Sequence, residues 1–154
     1  MSINPIVQSV NVAVQPDRAF ALFAGDIGRW WSPIMHIAPE PFTEIVIEPR
    51  AGGRWFERDA NGAECDWGHV IAWEPPGLLL LGWQLDGSFG FDPELVTEVE
   101  VTFTPEADGT RVTLTHRNLE RFGPSAERAA GQLRGGWPGL VARFATFAQE
   151  EIDS

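Results

Sequence analysis

From Ile6 to Val14 apolar side chains fall on alternate positions: Ile6, Val10, Val12 and Val14 share one face, and Gln8 is the break in it. A period of two predicts a strand with one buried face. Pro16 then opens a segment, 17–24, in which Phe20 and Phe23 lie one helical turn apart. Proline at a first helical turn gives up only an N–H that has no intrahelical partner. Gly25 ends this helix, and Asp26 is the expected N-cap of a second short helix over 26–31, which Ser32 and Pro33 stop. Pro33, Pro39 and Pro41 make 33–42 a loop.

Strand signals then recur over 44–48, 54–59, 64–73, 78–85, 96–104 and 111–119. Between them stand turn formers: Ala51-Gly52-Gly53, Asn61-Gly62, Pro75-Pro76-Gly77, a Gly-rich stretch over 86–93, and Asp108-Gly109. Asn-Gly and Asp-Gly suit tight hairpins because their central residues tolerate positive φ. The last strand pair is the most regular. Val99, Val101 and Phe103 alternate with Glu98, Glu100, Thr102 and Thr104, and Val112 and Leu114 alternate with Thr113 and Thr115. One face is dry and the other wet, as in an antiparallel sheet covered on one side.

The C-terminal third turns helical. A short helix or lead-in over 125–134 is broken by Gly135-Gly136, and Pro138 starts a long helix. In it Leu140, Val141, Phe144, Ala145 and Ala148 recur at helical spacing to about Glu150. The order is strand, two short helices, six strands, long helix. Segregation of this kind predicts a single α+β domain over 1–154. One helix cannot cover six or seven strands, so the sheet is expected to curl around it. Gly53, Gly68, Gly82 and 87–90 are candidate bends, and the short helices and the 86–93 loop are the candidate rim of a gap at the open end. Gaps between such layers are typically apolar ligand sites with a few polar groups.

Strand parity sorts the candidate lining. Trp55, Glu57 and Asp59 share a face, opposite Arg54, Phe56 and Arg58. His116 shares its face with Val112 and Leu114, and Trp83 with Leu79 and Leu81. The expected ligand-binding set is Trp30, Trp31, Trp55, Glu57, Leu81, Trp83, Val101, Phe103, Leu114, His116, Trp137, Val141 and Phe144. Trp137 is expected to open the long helix. Adjacent residues cannot share a helix face, so of Trp30 and Trp31 one is expected inside and the other at the mouth. The parity of Trp67 and Trp73 leaves their facing open. Glu57 and His116 are the candidate acid–base pair, because a buried carboxylate beside an imidazole can move a proton. The competing reading is two internally satisfied polar groups, or two groups that never meet.

Composition narrows the partners. The chain of 154 residues is 44% hydrophobic and has 7 Trp and 10 Phe but no Tyr. That is rigid aromatic surface for a core or a cavity wall. A net charge of −11 argues against nucleic acid and anionic membranes, both of which select clustered Lys and Arg. Cys65 is the single cysteine, so no intramolecular disulfide forms, and a reducing, cytoplasmic setting is expected. The segment Met1–Pro5 does not read as a signal peptide, and the run Leu78–Leu81 is too short to span a bilayer. His36, His69, His116 and Cys65 lack metal-ligand spacing, and no nucleophile elbow or phosphate loop occurs. No metal and no cofactor is therefore expected.

Several segments together resemble a known family: Ile27-Gly-Arg-Trp-Trp-Ser-Pro33, Glu48-Pro-Arg-Ala-Gly-Gly-Arg-Trp-Phe-Glu57, Gly68-His-Val-Ile-Ala-Trp-Glu-Pro-Pro76, Leu79-Leu-Leu-Gly-Trp83, Thr110-Arg-Val-Thr-Leu-Thr-His116 and Gly136-Trp137. Their order is similar to bacterial AHSA-type proteins of the SRPBCC (Bet v 1-like, START and polyketide-cyclase) superfamily. The resemblance implies a helix-grip fold, a curved antiparallel sheet around a long C-terminal helix. Three functions are then weighed: binding of a small hydrophobic ligand by a monomer or homodimer; a cyclase, dehydratase or hydrolase using Glu57 or His116; and a co-chaperone-like module acting through its sheet or rim.

Overall fold

The computed structural model describes residues 3–153. The readings at Met1 and Ser2 and the domain limit at Ser154 lie outside the described residues. The strands are β1 (Ile6–Val12), β2 (Phe42–Ile47), β3 (Arg54–Asp59), β4 (Glu64–Glu74), β5 (Leu78–Trp83), β6 (Thr97–Glu106) and β7 (Gly109–Arg117). They form one seven-stranded sheet in the order β1-β7-β6-β5-β4-β3-β2, with every neighbouring pair antiparallel. The last helix, α3 (Ala126–Asp153), lies on the concave face. This is the helix-grip fold.

The alternation in β6 and β7 sets their register. Val99 pairs with His116, Val101 with Leu114 and Phe103 with Val112, all buried on one face. On the other face Arg117 donates to Glu98 at 2.9 Å and Glu100 at 3.1 Å. The convex face of β3 also holds an apolar residue, Phe56, which is buried under charge. The Arg54 and Arg58 guanidinium carbons stand 4.0 and 5.3 Å from its ring centroid, while their heads pair with Asp66, Glu64 and Glu44. Arginine stems cover apolar surface and leave the charge in water.

β4 bends through two bulges. Trp55 pairs with Gly68 but Phe56 with Asp66, so Trp67 is an extra residue; Val70 pairs with Leu81 but Ala72 with Leu80, so Ile71 is another. An unpaired residue breaks the period of two, which is why parity could not orient Trp67 and Trp73. Trp67 is fully buried, and Trp73 meets Phe20 edge-on at 4.9 Å. Gly68 stands between the two bulges, paired with both Trp55 and Trp83. A β-carbon there would sit 1.8 Å from the Gly82 carbonyl oxygen, so only glycine lets the strands approach this closely.

Helical segments depart from expectation in three ways. The first, α1 (Pro16–Phe20), runs into a widened π turn (Ala21–Gly25) before α2 (Ile27–Trp30), and Asp26 makes no side-chain cap bond. After β7 comes a 3-10 segment (Leu119–Ser125). Then α3 passes unbroken through Gly135, Gly136 and Pro138, so Trp137 sits mid-helix rather than at its start. Glycine and proline have poor intrinsic helix propensity. Burial of Ala129, Ala130, Trp137, Leu140, Val141, Phe144 and Ala148 on one stripe offsets that deficit. Among the described residues no helix is long and apolar enough to cross a membrane.

Candidate functional site

The space between the sheet and α3 is filled by rings. At the end nearer α1, Phe20, Phe23, Phe103, Trp30 and Phe144 meet at centroid distances from 4.9 to 5.9 Å. At the other end Trp55, Trp67, Trp83, Trp137 and His116 form a second cluster. Trp31 joins the two, 5.8 Å from Trp30 and 5.1 Å from Trp67. It follows the last residue of α2 in extended backbone. Adjacency therefore does not force it outward, and both Trp30 and Trp31 are buried. Their indole N–H groups donate to the carbonyls of Phe23 and Met35, at 3.2 and 3.0 Å.

Two polar groups stand inside this aromatic interior, and they have separate partners. Glu57 on β3 is fully buried. Its carboxylate accepts from the amides of Ile37 (2.5 Å) and Ala38 (3.2 Å) and from Trp67 Nε1 (2.9 Å). It thereby ties the 33–41 loop to the sheet with charge-assisted bonds. His116 on β7 is also fully buried, and burial drives its pKa down to about 3. The ring is therefore neutral. Trp137 Nε1, which can only donate, lies 3.0 Å from Nδ1. The proton must then sit on Nε2, 2.7 Å from Thr97 Oγ1. The Thr97 hydroxyl in turn donates to the Trp83 carbonyl at 3.4 Å. Both ring nitrogens are engaged, and no bond joins His116 to Glu57. The expected acid–base pair does not assemble, because β3 and β7 are separated in the sheet by β4, β5 and β6 and Trp83 packs between, touching Trp55 and His116.

An apolar hollow of about 100 Å³ opens at the mouth of the second cluster. Met35, Trp83, Gly87, Phe89, Phe122 and Leu133 border it, with Asp86 at its rim. Of the expected rim, the 86–93 loop borders the hollow, whereas the short helices α1 and α2 do not. Of the expected lining residues only Trp83 borders the hollow. Leu81, Val101, Phe103, Leu114, Val141 and Phe144 are buried in the core and do not border it. Sequence reasoning missed Met35, Phe89, Phe122 and Leu133, which lie on loops, on the 3-10 segment and on the stretch of α3 read as a lead-in. Wider grooves, such as one beside Arg29, Arg143 and Glu150, lie on the solvent-facing side.

Two buried polar atoms among the described residues have no hydrogen-bond partner, Trp55 Nε1 and Asn118 Oδ1. Burial, then the negative charge of Glu57, pushes the Cys65 thiol pKa up, which disfavours the nucleophilic thiolate. Among the described residues no three His, Cys, Asp or Glu side chains converge as a metal site.

Residues 13–149 match the family described as Activator of Hsp90 ATPase homolog 1-like protein. The chain belongs to that family. No curated protein matches this AHSA1-like chain in sequence. Among solved structures it is similar to an anthrahydroquino-gamma-pyrone synthase, Txn09, complexed with SUM. Identity is 35%, the match covers 94% of this chain and 97% of that one, and the TM-score is 0.66. The protein MLL2253 from Mesorhizobium loti is similar at 22% identity, over 96% and 98% of the two chains, with a TM-score of 0.69. NE0264 from Nitrosomonas europaea shares 14% identity over 96% of each chain, with a TM-score of 0.69. The last two establish the shared fold alone.

Proposed function

We propose that this AHSA1-like domain binds a small, uncharged, largely apolar aromatic molecule at the open end of its sheet, entering where the hollow meets Trp83. The observation that carries the reading is the continuity of that hollow with a buried cluster of tryptophans. Tryptophan offers large flat contact area at little conformational cost. A fully buried carboxylate, Glu57, bonded to Trp67 and a net charge of −11 disfavour an anionic ligand. The 35% identical synthase, described as complexed with SUM, supports the reading by likeness. The working unit in this reading is a cytoplasmic monomer or homodimer with no nucleic-acid or membrane partner. Native mass spectrometry of freshly purified protein tests it. A co-purified mass, lost on denaturation, is expected; a bare chain that also fails to bind added aryl ketones overturns it.

A second reading, catalysis, draws on the name of the same relative. Within it Glu57 is the candidate acid or base, because His116 has no free nitrogen. Turnover of an aryl polyketide substrate that disappears in Glu57→Gln, with the fold retained, is the result that supports it.

A further inference from the structure

The loop between β5 and β6 holds a large side chain in a backbone conformation that such residues avoid. Phe89 has φ +63°, in the left-handed region where a bulky residue is an outlier. Outliers of this kind persist only where the surroundings enforce them, and they gather at ligand clamps and switches. Here the surroundings are a tight turn organised by Asp86. The Phe89 amide donates to the Asp86 carbonyl at 2.9 Å, the Asp86 amide to the Gly90 carbonyl at 2.8 Å, and Asp86 Oδ1 accepts from the amides of Ser88 and Gly90 at 2.8 and 2.9 Å. The turn directs the ring inward. It meets Trp67 at 5.3 Å and 81° and Trp83 at 6.1 Å and 76°, edge-to-face on both.

The hollow beside this ring measures about 100 Å³. A closed apolar cavity of about 150 Å³ is the size known to accept benzene, so this hollow is too small to enclose an aromatic ligand unless something leaves. Of the three bordering rings, Trp83 is fixed in a central strand and Phe122 is buried in the 3-10 segment, whereas Phe89 stands on a surface turn. A second observation lies on the same pair of indoles. Trp55 packs on Trp67 at 5.6 Å and on Trp83 at 5.7 Å, and its fully buried Nε1–H lacks an acceptor. Indole nitrogen can only donate, and a buried donor left unpaired is costly.

Building on the ligand-binding reading, we propose that Phe89 is a built-in occupant of the ligand seat. A neutral planar aromatic ketone displaces it, lies against Trp67 and Trp83, and accepts the Trp55 N–H at its carbonyl oxygen. The test uses 9-fluorenone and fluorene, which share a skeleton and differ by one carbonyl, with wild type, Phe89→Ala and Trp55→Phe. Wild type is expected to bind 9-fluorenone, with amide shifts over 86–90 and loss of the contacts from Phe89 to Trp67 and Trp83 in NMR spectra. Phe89→Ala is expected to bind both probes about tenfold more tightly. The Trp55 indole N–H is expected to shift with 9-fluorenone and not with fluorene, and Trp55→Phe to lose the roughly tenfold preference for the ketone. Because Trp55→Phe alters the core, the indole shift in wild type stands as an independent readout. Binding with the Phe89 contacts intact overturns the displacement and leaves ligand binding standing. Equal affinity for both probes with an unmoved Trp55 N–H overturns the acceptor. Failure of both wild type and Phe89→Ala to bind either probe overturns this proposal and the binding reading together.

Discussion

His116 makes stability depend on pH in a way that can be worked out. Its folded-state pKa is held near 3 by burial, against about 6.5 for a free imidazole. Below about pH 6.5 the unfolded chain takes up a proton that the folded chain refuses, so acid favours unfolding. The contribution is fully present above the unfolded value. It is lost as pH falls from about 6.5 towards 3, at a limiting slope of about 1.4 kcal/mol per pH unit. Between pH 7 and pH 5 the accumulated loss is about 2 kcal/mol, in a range where ordinary carboxylates remain mostly ionised. The perturbation is His116→Gln, which does not titrate but still offers a donor and an acceptor towards Thr97 and Trp137. Urea unfolding at several pH values in this range reads both proteins. Wild type is expected to lose about 2 kcal/mol more than the variant from pH 7 to pH 5. Identical slopes, or imidazole resonances of His116 that titrate near pH 6.5, refute the neutral, doubly bonded ring.

Other consequences are as direct. Glu57→Gln turns an amide NH2 or a weaker acceptor towards three donors, so stability should fall by about 2 kcal/mol, with faster amide exchange at Ile37 and Ala38; unchanged protection there contradicts the anchoring role. Gly68→Ala drives a methyl into the Gly82 carbonyl and should cost about 3 kcal/mol or more, read as a shift in urea midpoint. Gly135 is exposed within α3, and a β-carbon there meets nothing within 4 Å. Gly135→Ala should therefore stabilise by about 0.5–1 kcal/mol, and a loss of melting temperature would contradict an unbroken helix at that point.

The strands were legible where period two survives. In β3 and in the β6–β7 hairpin, alternation placed Trp55, Glu57, Val101, Phe103, Leu114 and His116 on the inner face, where they lie. It failed in β4, because a bulge is an extra residue that leaves no mark in composition. The break expected at Gly135-Gly136 was a judgement from propensity, and propensity yields to the packing of Trp137, Val141 and Phe144. Of the candidate site, Trp83 and the rim at 86–89 were legible, whereas the rest of the lining was not. Parity tells which face a side chain takes, not which neighbours it meets across a curved sheet, so Glu57 and His116 shared a face without sharing a contact. Phe89 could not be found by periodicity, because a turn set by Asp86 decides where it points.

The row of bonds from Trp137 through His116 and Thr97 to the Trp83 carbonyl bears on how α3 settles on the sheet. Greasy contacts between a helix and a β-surface tolerate rotation about the axis and slippage along it, since many side-chain arrangements exclude water comparably well. A directional N–H aimed at one particular lone pair does not. Indole and imidazole thus act as a locating peg that fixes the azimuth and height of a glycine-rich rod, so that the same apolar stripe faces inward in every molecule.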